Sequence, residues 1–384
     1  MDKRSVLHFL GLAALMLTSV ALLLCAYLGL AWHRDPLHLF QKSTAPAYLI
    51  GNMRIQAAGI INTFDFDSVI LGTSMLENSS AKELSITLGG NFANISVSGS
   101  SFYERSLILE HALKKKNLKK VVYSIDSYYL YCTFASYPEK NWAYLYDDSF
   151  FNDFKAYLNI LQMKDVLFNI RQGKKKSLDR PGAWFKNKYH ACRFGGLDNW
   201  VKYRDKQGVG KFLGKQVPEA ARKAKAGSAV IVRDQALEQK AREYVEKYVL
   251  SMAEKHPETT FYYVFPPYWR YFYAEMLQTD SRKFATHQEV IRHVVRCAQE
   301  LGNIHVFGFE DCDFVDDIAN YKDVTHYSEK INQYIASSMS KKEHLLTSAN
   351  VEGYLSRCEK LARDFDLQKL AELVEEKLAK VQKR

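Results

Sequence analysis

Between residues 65 and 130 the chain alternates short apolar runs with longer amphipathic ones. Residues 68–71 form the first run. It stops at Gly72 and hands over to Met75, Leu76 and Glu77, all good helix formers. The pattern predicts a buried strand that bends at Thr73 and Ser74 into a helix over residues 75–86. Residues 93–97 give a second strand, stopped at Gly99. In the stretch SFYERSLILEHALKKK, Leu107, Leu109 and Leu113 supply an apolar face. A lysine cluster closes its carboxyl end, where the helix dipole favours cations. Residues 121–125 read as a third strand. Residues 261–265 read as a fourth, cut off by Pro266 and Pro267, and NIHVFGFED as a fifth. Helices are predicted over 235–255 and 282–301, and a loop running into a helix over YKDVTHYSEKINQYIASSM. This alternation predicts an α/β fold: a parallel sheet with crossover helices in three layers.

Three segments fall outside the alternation. Residues 6–32 carry no Asp, Glu, Lys or Arg and are long enough to cross a bilayer. Lys3 and Arg4 precede the run and Arg34 follows beside Asp35, a bias that places the amino terminus in the cytoplasm. A cleaved signal peptide is the competing reading, from the small-x-small pattern Gly29-Leu30-Ala31. The run is longer than the roughly 7–15 apolar residues of such a peptide, so an uncleaved anchor is expected. The second segment, about 130–235, is aromatic and basic with weak periodicity and reads as a large insertion between core elements. The third, 343–384, is charged and helical and reads as an outer helical hairpin. The expected organisation is an anchor at 1–33, a linker at 34–64, an α/β domain at 65–342 holding the insertion, and the tail.

Composition narrows the partners. The chain has 384 residues and a net charge of +10. That suits an acidic glycan or a phospholipid surface, and equally a basic surface that serves only solubility. No finger spacing or RNA-recognition signature is present, so nucleic acid is not expected. Of six cysteines, Cys25 lies in the apolar run. Cys132, Cys192, Cys297, Cys312 and Cys358 are scattered without metal-ligand spacing, and their odd number leaves at least one thiol free or in an intermolecular bond. One or two disulfides are compatible with an oxidising compartment.

Open α/β sheets carry their sites at the carboxyl ends of the strands. There the chain offers Ser74 after the first strand, Ser98-Gly99-Ser100 after the second, Asp126 after the third, Tyr268, Trp269 and Arg270 after the fourth, and Asp323 and His326 after the fifth. A serine at a bend alone is explained by helix capping. A serine joined by Asp and His three residues apart suggests nucleophilic catalysis: His326 takes the Ser74 proton and Asp323 fixes the imidazole tautomer. The backbone N–H groups of Ser74 and Gly99 are candidates for an oxyanion hole. Asp126, Tyr268, Trp269 and Arg270 are candidate substrate-binding residues. Tyr268 and Trp269 suit stacking on a sugar and Arg270 pairing with an anion, or the aromatics pack the insertion onto the core.

The order of these blocks resembles the SGNH (GDSL-like) hydrolase superfamily, and more narrowly its membrane-anchored branch of DltD-type and alginate-acetylation-type proteins. Gly72-Thr73-Ser74 matches the nucleophile block, residues 94–99 the second block and residues 323–326 the D-x-x-H block. The chain departs at the third block, where Asp126 stands for the usual asparagine. The resemblance implies a serine esterase or O-acyltransferase acting on an anionic or neutral envelope polysaccharide, with a small acyl group and no cofactor or metal. It implies a single pass through the inner membrane, a periplasmic body and a membrane-bound acyl-transfer partner. A non-catalytic envelope-polymer module is the alternative, with Asp126 marking a lost oxyanion site. The insertion, with its basic run Lys174, Lys175 and Lys176, is expected to wall the acceptor groove.

Overall fold

The computed structural model describes residues 3–42, 52–130, 138–168, 179, 193–204, 209–225 and 229–382. Lys174 to Lys176, Trp184, His190, Cys132 and Cys192 lie outside the described residues. The chain divides into two compact units, 1–64 with 138–178, and 65–137 with 179–384.

In the first unit a 32-residue helix, Lys3–Arg34, is apolar and long enough to cross a membrane. The expected linker holds a second helix, Met53–Thr63, capped by Asn52. Residues 138–168 add 3-10 turns and the helix Ile160–Phe168. Ala31, Leu37, Leu39, Ala58, Leu145, Tyr157 and Val166 form its core.

In the second unit a six-stranded sheet has the order β2-β1-β3-β4-β5-β6. The strands are β1 (Ser68–Leu71), β2 (Phe92–Asn94), β3 (Lys120–Ser124), β4 (Thr260–Phe265), β5 (Ile304–Gly308) and β6 (Leu345–Leu346). The first five are parallel and β6 is antiparallel to β5. All of β1 is buried, which is why it reads as a continuous apolar run rather than an alternating one. β4 stops because Pro266 and Pro267 have no N–H to donate. The helix Phe102–Lys115 starts on a Ser101–Glu104 capping box, and Ser281–Leu301 ends on Gly302 at φ +75°.

The structure corrects several boundaries. The helix expected over 75–86 is two pieces, Ser74–Glu77 and Ala81–Thr87. Ser80 caps the second, and Asn94 Nδ2 donates to the Leu76 and Ser79 carbonyls at 2.9 Å each, closing the first. The helix over 235–255 runs through a π-helical stretch at Glu246–Leu250. The helix Arg270–Thr279 and strand β6 carry no clear sequence signal. The insertion is not one body: residues 138–168 belong to the first unit and 193–225 to the second. The tail is two helices as expected, Val351–Asp364 and Leu367–Gln382, but the first packs on Arg270–Thr279 and Ser281–Leu301 and the second on Val217–Lys225, so they are not an outer hairpin. Leu367, Leu370 and Val374 of the tail share a core with Val217, Ala220 and Ala221 of the insertion. Cys25, Cys297, Cys312 and Cys358 are free thiols.

Candidate active site

β1 lies between β2 and β3, so the chain leaves it to one side and returns on the other. Such a reversal opens a crevice at the carboxyl edge of the sheet. Thr73 occupies that edge as the cap of the short helix, its Oγ1 accepting from Met75 N. Ser74 is the first helical residue, so its N–H has no acceptor within the helix. The close approach needs Gly72: a Cβ there would stand 2.6 Å from Ser124 Oγ and 2.9 Å from Leu76 Cβ.

His326 reaches Ser74 from β5, three strand spacings away, roughly 14 Å. Residues 309–328 cross back over the sheet edge to make that span. The crossing is held by a Tyr321–Tyr327 bridge and by three bonds to other segments. Tyr321 OH donates to Pro267 O at 2.9 Å, Trp269 N to Val324 O at 3.1 Å, and Trp200 Nε1 to Tyr321 O at 3.1 Å.

At the tip, Ser74 Oγ lies 2.7 Å from His326 Nε2, and His326 Nδ1 lies 2.7 Å from Asp323 Oδ1. An ionised carboxylate only accepts, so Nδ1 carries the proton and Nε2 is left to accept from Ser74. Asp323 Oδ1 also accepts from the His326 and Thr325 backbone N–H groups at 2.9 and 3.2 Å. Burial pushes the Asp323 carboxyl up. The His326 charge and hydrogen bonds and the Lys322 charge outweigh burial and hold it well below the usual carboxylate range. The buried Arg193 guanidinium stands 3.9 Å from Asp323 Oδ2. Burial in turn brings Lys322 down to about 8, against the opposing pull of Asp323. Asp323 and His326 keep about a quarter of their side-chain surface exposed, so the relay is open to solvent.

Asp126 does not face this opening. It is fully buried, with Arg105 Nη1 at 3.2 Å from Oδ2. Thr73 Oγ1 donates to Oδ1 and Ser124 Oγ to Oδ2, each at 2.7 Å. Tyr268 OH donates to Oδ1 at 3.4 Å. The residue that departs from the asparagine pattern is therefore an anchor for the cap of the Ser74 helix. Its assignment to substrate binding is corrected on that ground. Tyr268, Trp269 and Arg270 are corrected likewise, since all three are at most 2% exposed. Trp269 packs edge-on against Trp200 and Phe212 of the insertion, and Arg270 binds Asp316 and the Glu310 and Cys312 carbonyls. The alternative use of these aromatics, packing the insertion onto the core, is the one found.

Gly99 sits in the turn after β2 with φ +65°. Val97 N donates to Gly72 O at 2.8 Å and Ser100 N to Val97 O at 3.2 Å, which brings the Ser98-Gly99 turn alongside the end of β1. A pocket of ≈ 250 Å³ opens beside the relay, lined by Trp200, Val209, Phe212, Gln216, Asp323, Val324, Thr325 and His326. Sequence reasoning missed Arg105, Arg193 and Lys322, because a buried cation in a helix or loop looks like any surface cation until its carboxylate is known. Elsewhere in this unit Asp311, Cys312 and His344 bring ligand atoms within 4.8 Å of one another. Arg357 already holds the Asp311 carboxylate, and burial raises the Cys312 thiol to about 12, so it is not a ready thiolate ligand.

Compared with protein-family models, curated proteins and solved structures, the chain returns no match.

Proposed function

We propose that the chain is a membrane-anchored serine esterase or O-acyltransferase of SGNH type, acting outside the cytoplasm on an envelope polysaccharide. The observation that carries this is the Ser74–His326–Asp323 relay, two 2.7 Å contacts joining segments far apart in sequence. Ser74 Oγ attacks the ester carbonyl carbon as His326 Nε2 takes its proton, with Asp323 balancing the imidazolium. The Ser74 and Gly99 N–H groups stabilise the oxyanion. The ester C–O bond then breaks, His326 protonates the departing alkoxide, and the acyl group remains on Ser74. Water or a sugar hydroxyl, deprotonated by His326, releases it. The pocket beside His326 lies below the roughly 300–1,000 Å³ of drug-sized ligand sites and favours a small acyl group. By the same resemblance, the protein stands in the inner membrane with a membrane-bound acyl donor as partner. The alternative reading is a non-catalytic envelope-polymer module, in which the missing asparagine marks a lost oxyanion site; Asp126 itself is buried against Arg105.

Intact mass after fluorophosphonate treatment tests the proposal. One phosphonyl adduct is expected on the wild type and none on Ser74→Ala. An unlabelled wild type, or an adduct that survives Ser74→Ala, overturns it.

A further inference from the structure

The first unit carries a surface that the anchor alone does not explain. On the helix Lys3–Arg34, side chains from Val6 to Ala26 are exposed, apart from half-buried Ala13. Twenty-one helical residues rise about 31 Å, matching the roughly 30 Å hydrocarbon core of a bilayer. Packing starts where that length ends. Tyr27 OH donates to the Tyr157 carbonyl, and the Arg34 guanidinium donates to the carbonyls of Val166 and Leu167. Trp32 stacks on Phe40 at 4.9 Å, Phe40 stacks on Phe154 at 4.6 Å, and Phe150 meets Trp32 edge-on at 5.4 Å. An aromatic cluster thus sits one bilayer thickness along the helix, the depth at which aromatic belts occur.

The segment pinned there, 150–168, has two faces. Ala156, Tyr157 and Val166 are in the unit's core. On the other face Phe151 is 84% exposed, Ile160 69% and Phe168 68%, with Leu158 and Leu167 exposed beside them. One exposed large apolar residue needs no explanation, but five within 18 residues do. Exposed Lys155 and Lys164 are interspersed, as suits anionic headgroups.

We propose that residues 150–168 form an interfacial collar, seated in the headgroup–acyl boundary of the same bilayer that the N-terminal helix crosses. The occupant is lipid rather than a partner protein, because the segment is fixed to the end of the lipid-length stretch by hydrogen bonds from Tyr27 and Arg34 and by aromatic contacts with Trp32. This rests on the membrane-anchor part of the proposed function and not on its catalytic part.

Photo-crosslinking of the full chain in vesicles of phosphatidylethanolamine and phosphatidylglycerol tests it. Leu15→benzoylphenylalanine reports on the anchor. Phe151→benzoylphenylalanine and Phe168→benzoylphenylalanine report on the collar, and Tyr334→benzoylphenylalanine, in the sheet unit, is the water-facing reference. Lipid adducts are expected at positions 15, 151 and 168 and not at 334. Adducts at 15 without any at 151 and 168 overturn the collar and leave the anchor standing, and would turn attention to a protein partner. No adduct at 15 overturns both. If a collar variant lowers the thermal unfolding midpoint, Ile160→benzoylphenylalanine takes its place.

Discussion

At Ser74, His326 and Asp323 the proposed chemistry depends on three groups acting as one. Losing Ser74 removes the nucleophile and losing His326 removes its base, so neither loss leaves anything for the other to do. Ser74→Ala and His326→Ala are each expected to lower kcat on a small chromogenic acetate ester by roughly 10⁴–10⁶-fold, and the double variant by little more. Asp323→Asn keeps the base and disturbs its charge and orientation, and should be roughly 10²-fold milder. Wild-type kcat in Ser74→Ala would dispose of the mechanism. Lys322 offers a second test through pH. Its folded pKa of about 8 lies below the free value of about 10.4. Between those values the unfolded chain keeps a proton that the folded chain has released, so this group makes stability rise with pH, by at most about 1.4 kcal/mol per unit. Asp323 works in the acid range. Its depressed pKa stabilises the fold above the free-carboxylate range, and that contribution is lost as pH falls through the folded value. Urea denaturation from pH 7.5 to 9.5 should show a shallower upward slope in Lys322→Met than in the wild type. Equal slopes would mean that Lys322 is not desolvated. Buried Tyr321 and Tyr327 act with the opposite sign at higher pH, and the difference between the two proteins cancels them.

The element that decides the site is the turn from β1 into Ser74–Glu77. Asp126 fixes it from below through Thr73, and Arg105 neutralises Asp126 where neither touches water. Removing one member of a buried pair leaves the other uncompensated, at a cost of about 3–5 kcal/mol. Asp126→Asn should therefore lower the urea midpoint by a matching amount and slow fluorophosphonate labelling of Ser74. If Asp126 instead faced the oxyanion, the same change would restore the usual asparagine and raise turnover, so the sign of the rate change separates the two placements. Five of six strands were legible because buried parallel strands and their proline or glycine stops leave a mark within a few residues. Ser74 was legible because it stands two residues past the glycine that stops β1, and Asp323 and His326 because they stand three apart just before a helix. The substrate-binding roles of Trp269 and Arg270 were misread because adjacency to a strand end says where the chain is, not which way a side chain turns. Strand β6, two residues long, has too few positions to show any period.

For the whole molecule, the proposed function requires the sheet to stand outside the cytoplasm. The helix Lys3–Arg34 has a window of mean hydropathy 2.4, and none of that window is buried within the fold. A core helix of a soluble protein would be covered, whereas this window is not covered by the described residues. Among the described residues no other helix is long and apolar enough to cross. Lys3 and Arg4 stand before the run. After it, Arg34 is offset by adjacent Asp35, a buried residue whose carboxylate accepts from Leu39, Phe40 and Gln41 backbone N–H groups. The positive bias at the amino end is the ground for expecting, by the positive-inside rule, that this end stays in the cytoplasm. Protease added to right-side-out spheroplasts should digest the chain from residues beyond 34 and leave a membrane-bound fragment of the first helix. Protection of a carboxyl-terminal epitope until the membrane is permeabilised would reverse the orientation. It would also place the Ser74 site in the cytoplasm, away from any envelope polymer. Recovery of a soluble chain beginning near residue 32 would instead identify the helix as a cleaved leader. The lipid adducts expected at Phe151 and Phe168 would then not form.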